Sequence, residues 1–299
     1  MGVNTCLSLT AIFSVIGIAL IIIAVGTYDW NNYSVNRREI VNAFNREPEL
    51  SIKLKDAFLK DSLYFSRSYG LLHTCFSDAV PSDIGSFQFL GSPCVWNNDY
   101  LPSEAKQASM SNDAIYRMWW MRASILLYAI GIAVAVFALM IGVLGCWRRS
   151  SGFVLTTAVL MLFAVLILGG AMASWHYTQY MERWTLDEAP FFKSWESILK
   201  STSRQHYGWS YISSWSGIIF LLLAAIFMFI AKHYLKKDEE KAFEAKHEAY
   251  MMPSYYDKGA VMPYYNTYTA GAYGGYPPAP YGTYGGYPNA YYGYMTYGR

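Results

Sequence analysis

The chain has 299 residues, of which 54% are hydrophobic, 18% aromatic and only 15% charged, with a formal net charge of +2. The length alone would suit two soluble domains, but so apolar a composition excludes them and points to a membrane protein. A net charge of +2 says nothing about nucleic acid, and no basic cluster interleaved with aromatics suggests a nucleic-acid surface.

Residues 1–5 form a short N-terminus, and Cys6 to Tyr28 is the first uncharged apolar run, long enough to cross a hydrocarbon core of about 30 Å. A cleaved signal peptide is the rival reading, since Ala24-Val25-Gly26 resembles a cleavage site. However, Met1 to Thr5 has no Lys or Arg, and the run exceeds the usual length of such a segment. Three further runs, 123–146, 152–175 and 211–231, make four spans, separated by a long polar loop (29–122), a link (147–151) and a second loop (176–210). Arg148 and Arg149 fill the link, and Lys232, His233, Lys236 and Lys237 follow the last span, so both termini are expected in the cytoplasm and both longer loops outside. Trp30, Trp119, Trp120, Trp175 and Trp209 fall at the outer ends of spans, where amphipathic rings prefer to sit. A multi-pass plasma-membrane protein is expected.

The first loop divides by composition. Asn36 to Ser62 is charged and places Ile40, Phe44, Leu50, Leu54 and Phe58 on roughly one helical face, broken at Pro48. This predicts a helical insertion over 36–62, a solvated two-helix decoration. Residues 64–98 carry short β-rich runs, Tyr64-Phe65 and Phe87-Gln88-Phe89-Leu90, and predict a small sheet. Cys75 and Cys94 are the two cysteines outside the apolar runs and their margins. On the oxidising side of a membrane their expected state is a disulfide. An antiparallel hairpin that sets them opposite each other centres between Ile84 and Gly85, within the turn-forming Ser82-Asp83-Ile84-Gly85-Ser86. Pro93 has no N–H to give, which suits a sheet edge and favours Cys75 and Cys94 as a hydrogen-bonded pair. Asn32-Tyr33-Ser34 is a glycosylation sequon in the same loop, so Asn32 is a candidate acceptor close to the membrane. Cys6 and Cys146, at cytoplasmic ends of spans, are candidate palmitoylation sites, with buried thiols the alternative.

After the last span, 232–249 has mixed charge and good helix formers, and a cytoplasmic helix is expected. Residues 250–299 are built of Tyr, Gly, Pro and Ala, with Tyr273-Gly-Gly-Tyr-Pro277 repeated as Tyr284-Gly-Gly-Tyr-Pro288. A disordered tail is expected, its tyrosines open to cytoplasmic partners or phosphorylation. No span carries an ionisable side chain in its interior, which argues against a pump or transporter. His73, His176, His206, His233 and His247 lack metal-ligand spacing, and neither a phosphate-cradling loop nor a nucleophile motif is present, so no enzyme and no cofactor is expected. His73 beside Cys75 does not suggest a thiol catalyst, because a disulfide-bonded sulfur is no thiolate.

Four spans, both ends inside, a larger first loop and the order Trp30, Gly70-Leu71, Cys75, Cys94 resemble the claudin superfamily, which includes peripheral myelin proteins and AMPA-receptor regulatory proteins. The expanded loop and tyrosine-rich tail are most like its nematode Clc-like branch, and the resemblance covers about Met1 to Tyr234. It implies an all-α membrane four-helix bundle, left-handed, with a small extracellular sheet drawn from both outer loops, the Cys75–Cys94 bridge pinning two strands and Trp30 packed against them. An Arg at the outer start of span two is common in that family, matched here by Arg122 or, second, Arg117. Leu72 stands in place of the second Trp of the family signature, and the Trp30 to Gly70 interval is longer, so neither polymerisation nor ion selectivity is carried over. The last residues, Tyr297-Gly298-Arg299, lack the hydrophobic end that PDZ scaffolds grip.

Two roles follow from the resemblance. One is a structural protein of cell contacts, in adhesion or barrier, engaging a partner in trans or in cis within the bilayer. The alternative is an accessory subunit of an ion channel or receptor. A synaptophysin-like vesicle protein is a weaker third, since it explains the tail but not the Trp, Gly-Leu and Cys pattern.

Overall fold

The structure, a computed structural model, describes residues 3–78, 80–81, 83–148 and 150–251. The expected disordered tail therefore lies, from 252 onward, outside the described residues.

Four long helices, α1 (Val3–Gly26), α5 (Asn112–Arg148), α6 (Ser151–Tyr180) and α8 (Trp209–Met251), are each long and apolar enough to cross a membrane. At 1.5 Å per residue the 37 residues of α5 extend about 55 Å, so it projects well beyond a hydrocarbon core of about 30 Å. The helices' interior is lined by small residues, among them Ala24, Ala135, Ala164, Ala171 and Ala225, with Ile21, Met161, Leu168 and Leu221 filling between them. Large apolar side chains such as Ile12, Leu126, Phe137 and Leu166 face outward, as helices surrounded by lipid allow. α1 and α8 cross closely where Gly17 meets Gly217. A Cβ on Gly217 would lie 2.8 Å from the Gly17 carbonyl oxygen, so only glycine permits this approach.

One end of the bundle carries a six-stranded antiparallel sheet. Its strands are β1 (Asn31–Val35), β2 (Arg67–Tyr69), β3 (His73–Phe76), β4 (Phe87–Phe89), β5 (Ser92–Trp96) and β6 (Ser203–Tyr207), in the order β4-β5-β3-β2-β1-β6. The first five come from the loop between α1 and α5, and β6 comes from the loop between α6 and α8. It pairs along all of β1, from Asn31 opposite Tyr207 to Val35 opposite Ser203.

The sheet departs from the sequence expectation in three ways. Tyr64-Phe65 is not a strand: Ser62–Tyr64 is a 3-10 turn, and both rings are buried under the helices that precede them. Pro93 does not mark an edge, because β4 folds back onto the far side of β5 with Gln88 opposite Pro93, and β4 is the edge instead. Cys75 and Cys94 are a non-hydrogen-bonded pair, with Cα atoms 4.0 Å apart, the closer spacing of such pairs. The Asn97 N–H donates to the Leu72 carbonyl (3.0 Å), and alternation along the ladder then leaves the cysteines between bonded positions. The next bonded position would need an N–H from Pro93, so the β3–β5 ladder stops at the bridge.

The insertion forms two helices, α2 (Arg37–Arg46) and α3 (Pro48–Lys60), and a short α4 (Glu104–Ala108) leads into α5. Asn36 caps α2 by accepting from the Glu39 N–H, and Pro48 opens α3 at its first turn, where its missing N–H costs no bond. These helices are not a decoration. Ile40, Phe58 and Tyr64 close a small core with Trp195 and Leu199, the latter on α7 (Ser197–Thr202) of the second loop. The Arg37 guanidinium lies 4.1 Å from the centre of the Phe58 ring and 4.0 Å from that of Phe65, while donating to the Tyr64 and Phe58 carbonyls. The apolar face that the sequence spaces along both helices is therefore satisfied by the second loop, a partner that helical periodicity does not name.

Candidate interaction site: the sheet and its joint to the bundle

Trp30 is where sheet and bundle meet. Its backbone belongs to the sheet, with N–H donating to the Tyr69 carbonyl and carbonyl accepting from the Gly208 N–H. Its side chain belongs to the bundle: the indole is 1% exposed, donates to the Ala24 carbonyl (2.6 Å) at the end of α1, and packs on Tyr128 of α5 and Trp175 of α6. The tryptophan thus packs against the helices rather than the bridged strands. Gly70 stands beside it, since a Cβ there would come within 2.6 Å of the Tyr28 Cα. Leu71 is buried in the same core as Trp30, whereas Leu72 turns toward the surface.

A polar layer seals this joint. Asn31 donates to Gln179 of α6 (2.6 Å) and accepts from Gln205 of β6 (2.9 Å), so one amide ties three elements. Arg117, in the turns of α5 nearest the sheet, is buried, donates through Nε to Glu182 (2.7 Å) and reaches Asp99 (3.5 Å). Arg122 lies nearer the surface and donates to the Tyr100 carbonyl (2.7 Å). Arg117, ranked second from sequence, is the buried arginine and the one ion-paired with Glu182 and Asp99. Glu182 on the far loop is the signal that would have found it, and nothing in the local pattern links the two. Between these groups lies a cavity of about 80 Å³, room for two or three waters. Arg67 also lies between rings, near Tyr33, Tyr69 and Trp195, and donates to the Leu63 carbonyl (2.7 Å). Burial raises the Tyr33 phenol well above its usual range and keeps it neutral.

The β4–β5 hairpin is built differently. Its two-residue turn places Leu90 at φ 49° and Gly91 at φ 83°, left-handed backbone that suits Gly91 and strains Leu90. The Leu90 side chain is nonetheless 78% exposed, and Trp96, stacked on Phe87, is 59% exposed. Behind them His73 is buried among the rings of Tyr28, Phe87, Phe89 and Trp96, and neither imidazole nitrogen has a hydrogen-bond partner. Burial holds that imidazole below its usual range.

Of the remaining sequence candidates, Asn32 lies in β1 between Ser68 and His206, with Oδ1 buried. The Cys6 thiol is fully buried with Val154, Ala158 and Met228, a packing position rather than an accessible acceptor. Cys146 lies near the end of α5. Among the described residues no three His, Cys, Asp or Glu side chains come together as a metal site.

This geometry is four apolar helices, a sheet from both loops, a bridge across two neighbouring strands and a tryptophan between sheet and bundle. A family model described as PMP-22/EMP/MP20/Claudin tight junction matches residues 15–230. The chain belongs to the PMP-22/EMP/MP20/Claudin family. It is accordingly a multi-pass membrane protein, and the match runs from within α1 to near the apolar end of α8, including the insertion. No curated protein matches the chain.

Proposed function

We propose that this family member is a structural, non-enzymatic protein of the plasma membrane that acts at cell contacts, with the sheet outside the cell and both termini in the cytoplasm. A disulfide is stable on the oxidising side of a membrane, and Arg148, Lys232, Lys236 and Lys237 lie at the opposite end from the sheet, which supports this orientation. The observation that carries the contact role is the β4–β5 hairpin. Exposed large apolar groups on a covalently pinned edge are what a recognition surface offers, since little is left to order on binding. The neighbour would be another membrane protein, in trans on the next cell. Accessory action beside a channel in the same membrane is the second reading, supported by exposed Tyr116 and Trp119 on the turns of α5 that project from the bilayer.

The test is a mixed culture in which tagged protein is imaged at borders between two expressing cells and between an expressing and a silent cell. Enrichment at the first kind of border, lost at least several-fold in Leu90→Asp or Trp96→Asp at unchanged surface level, is expected. Uniform distribution of the wild type at both borders would contradict a contact role.

A further inference from the structure

Arg117 and Arg122 stand little more than one turn apart on α5, yet they are satisfied differently. Arg117 is buried and ion-paired with Glu182 and Asp99. Arg122 is half-buried, and among the described residues no carboxylate pairs with it. Its Nε donates to the Tyr100 carbonyl (2.7 Å), and its guanidinium carbon lies 5.0 Å from the centre of the Trp119 ring, so the group is held in place. The two Nη groups carry four of the five guanidinium N–H donors and make no hydrogen bond among the described residues.

The depth of this cation follows from Trp30. Its indole donates to the Ala24 carbonyl and packs on Tyr128, so Ala24 and Tyr128 share one level of the bundle. α1 ends at Gly26, two residues farther out, where the chain turns polar with Thr27 and then charged with Asp29. The hydrocarbon layer on the sheet side therefore ends about 3 Å beyond that level. Arg122 stands six residues before Tyr128, about 9 Å along α5, which places it in the headgroup layer that adds about 5–8 Å to each face of a bilayer. Leu126 and Ile130, successive turns farther in on the same stripe of α5, are exposed, so this side of the helix faces lipid.

The neighbours of Arg122 narrow the partner. Trp119, against its guanidinium, is 56% exposed, and Leu101, next to the carbonyl it bonds, is 83% exposed. A free anion would satisfy the cation and leave both apolar side chains bare, while a neutral lipid would do the reverse. A phospholipid meets both demands, because the guanidinium fork matches phosphate oxygens and an indole suits the interface beneath them. We propose that Arg122, Trp119 and Leu101 hold a phospholipid of the sheet-side leaflet, its phosphate on the Arg122 Nη groups and its glycerol and upper acyl carbons against Trp119 and Leu101. Since Arg122 is already fixed by Tyr100 and Trp119, little of its freedom is lost on binding. This site is independent of the hairpin and of the contact role.

The test uses the full chain in lipid nanodiscs with a trace of phosphatidylcholine that carries a photoreactive group beside its glycerol. Saturable labelling of the peptides that contain Leu101 and Trp119 is expected, displaced by unlabelled phosphatidylcholine but neither by an equal mole fraction of a galactolipid with the same acyl chains nor by inorganic phosphate. Arg122→Gln should lower that labelling at least five-fold and leave labelling of 126–137, within the bilayer, unchanged, whereas Arg122→Lys, which keeps the charge, should retain most of it. Should Arg122→Gln melt earlier than the wild type, the galactolipid comparison decides, because it uses the unaltered chain. Equal displacement by the galactolipid would show that the phosphate is not recognised and would overturn the proposal. So would displacement by inorganic phosphate, which makes a free anion the occupant, or undiminished labelling of a stable Arg122→Gln.

Discussion

The insertion α2–α3 and the hairpin β4–β5 both belong to the first loop, yet they are held in opposite ways. The insertion turns Ile40, Leu54 and Phe58 inward and fastens itself to the second loop through Trp195, Leu199 and the Lys53–Glu196 ion pair. The hairpin presents Leu90 and Trp96 outward and is joined to β3 by the β3–β5 ladder, by the rings around His73 and by the Cys75–Cys94 bridge. Where apolar groups are buried, the hydrophobic effect itself keeps the segment in place. Where they stay exposed, that term is missing and a bridge adds to what strand pairing supplies, and exposure is the better mark of a surface meant for a partner.

The largest expected effect comes from removing the insertion. Replacing 37–60 with a short Gly/Ser link uncovers Tyr64, Trp195 and Leu199, and the protein should be retained inside the cell; normal surface delivery of the deletion would show the insertion to be separable. Phe58→Ala should do part of the same damage, about 3–5 kcal/mol for a buried ring, read as a fall in thermal stability. Leu90→Asp, by contrast, should leave that stability within about 0.5 kcal/mol, the usual range for exposed positions. Cys75→Ser together with Cys94→Ser should come next, at about 3 kcal/mol from the loss of a loop closure spanning 19 residues, with the damage confined to faster hydrogen exchange in β3 and β5. The smallest effect is a pH dependence. The His73 imidazole is held below its ordinary value of 6.5, so as the pH falls the unfolded chain takes up the proton before the folded one does. Stability of the hairpin is then complete above about pH 6.5 and declines as the pH falls from there toward the folded value. Exchange of the β5 amides should be faster at pH 5.5 than intrinsic rates explain, and His73→Phe should abolish that excess.

Much of this fold was legible in the residues. Four uncharged runs located the long helices, and composition separated the helical part of the first loop from its β-rich part. Cys75 and Cys94 announced two facing strands. What the sequence hid were partners distant along the chain. The apolar face of Ile40 and Phe58 is visible as a helical stripe, but that Trp195 covers it is decided by how β6 adds to β1. Arg117 and Glu182 are likewise a pair only once the turn that follows α6 (Met181–Thr185) lies beside α5 past the bilayer. The hairpin misled for a local reason, because Pro93 reads as an edge residue and instead ends a ladder while a further strand pairs beyond it. Trp30 was recognisable by its order before Gly70-Leu71, yet its side chain faces the bundle, which only the closing of the sheet on the helices decides.

The central claim is that the insertion belongs to the folded core of the sheet end while the hairpin is its exposed, stapled edge. Hydrogen exchange by mass spectrometry on the full chain in detergent tests it most directly. The amides of α2 and α3 should be protected to about the same degree as β1 and β6, and Trp195→Ala should lower their protection together. Rapid exchange throughout α2 and α3 beside a protected β1–β6 pair, indifferent to Trp195→Ala, would contradict it.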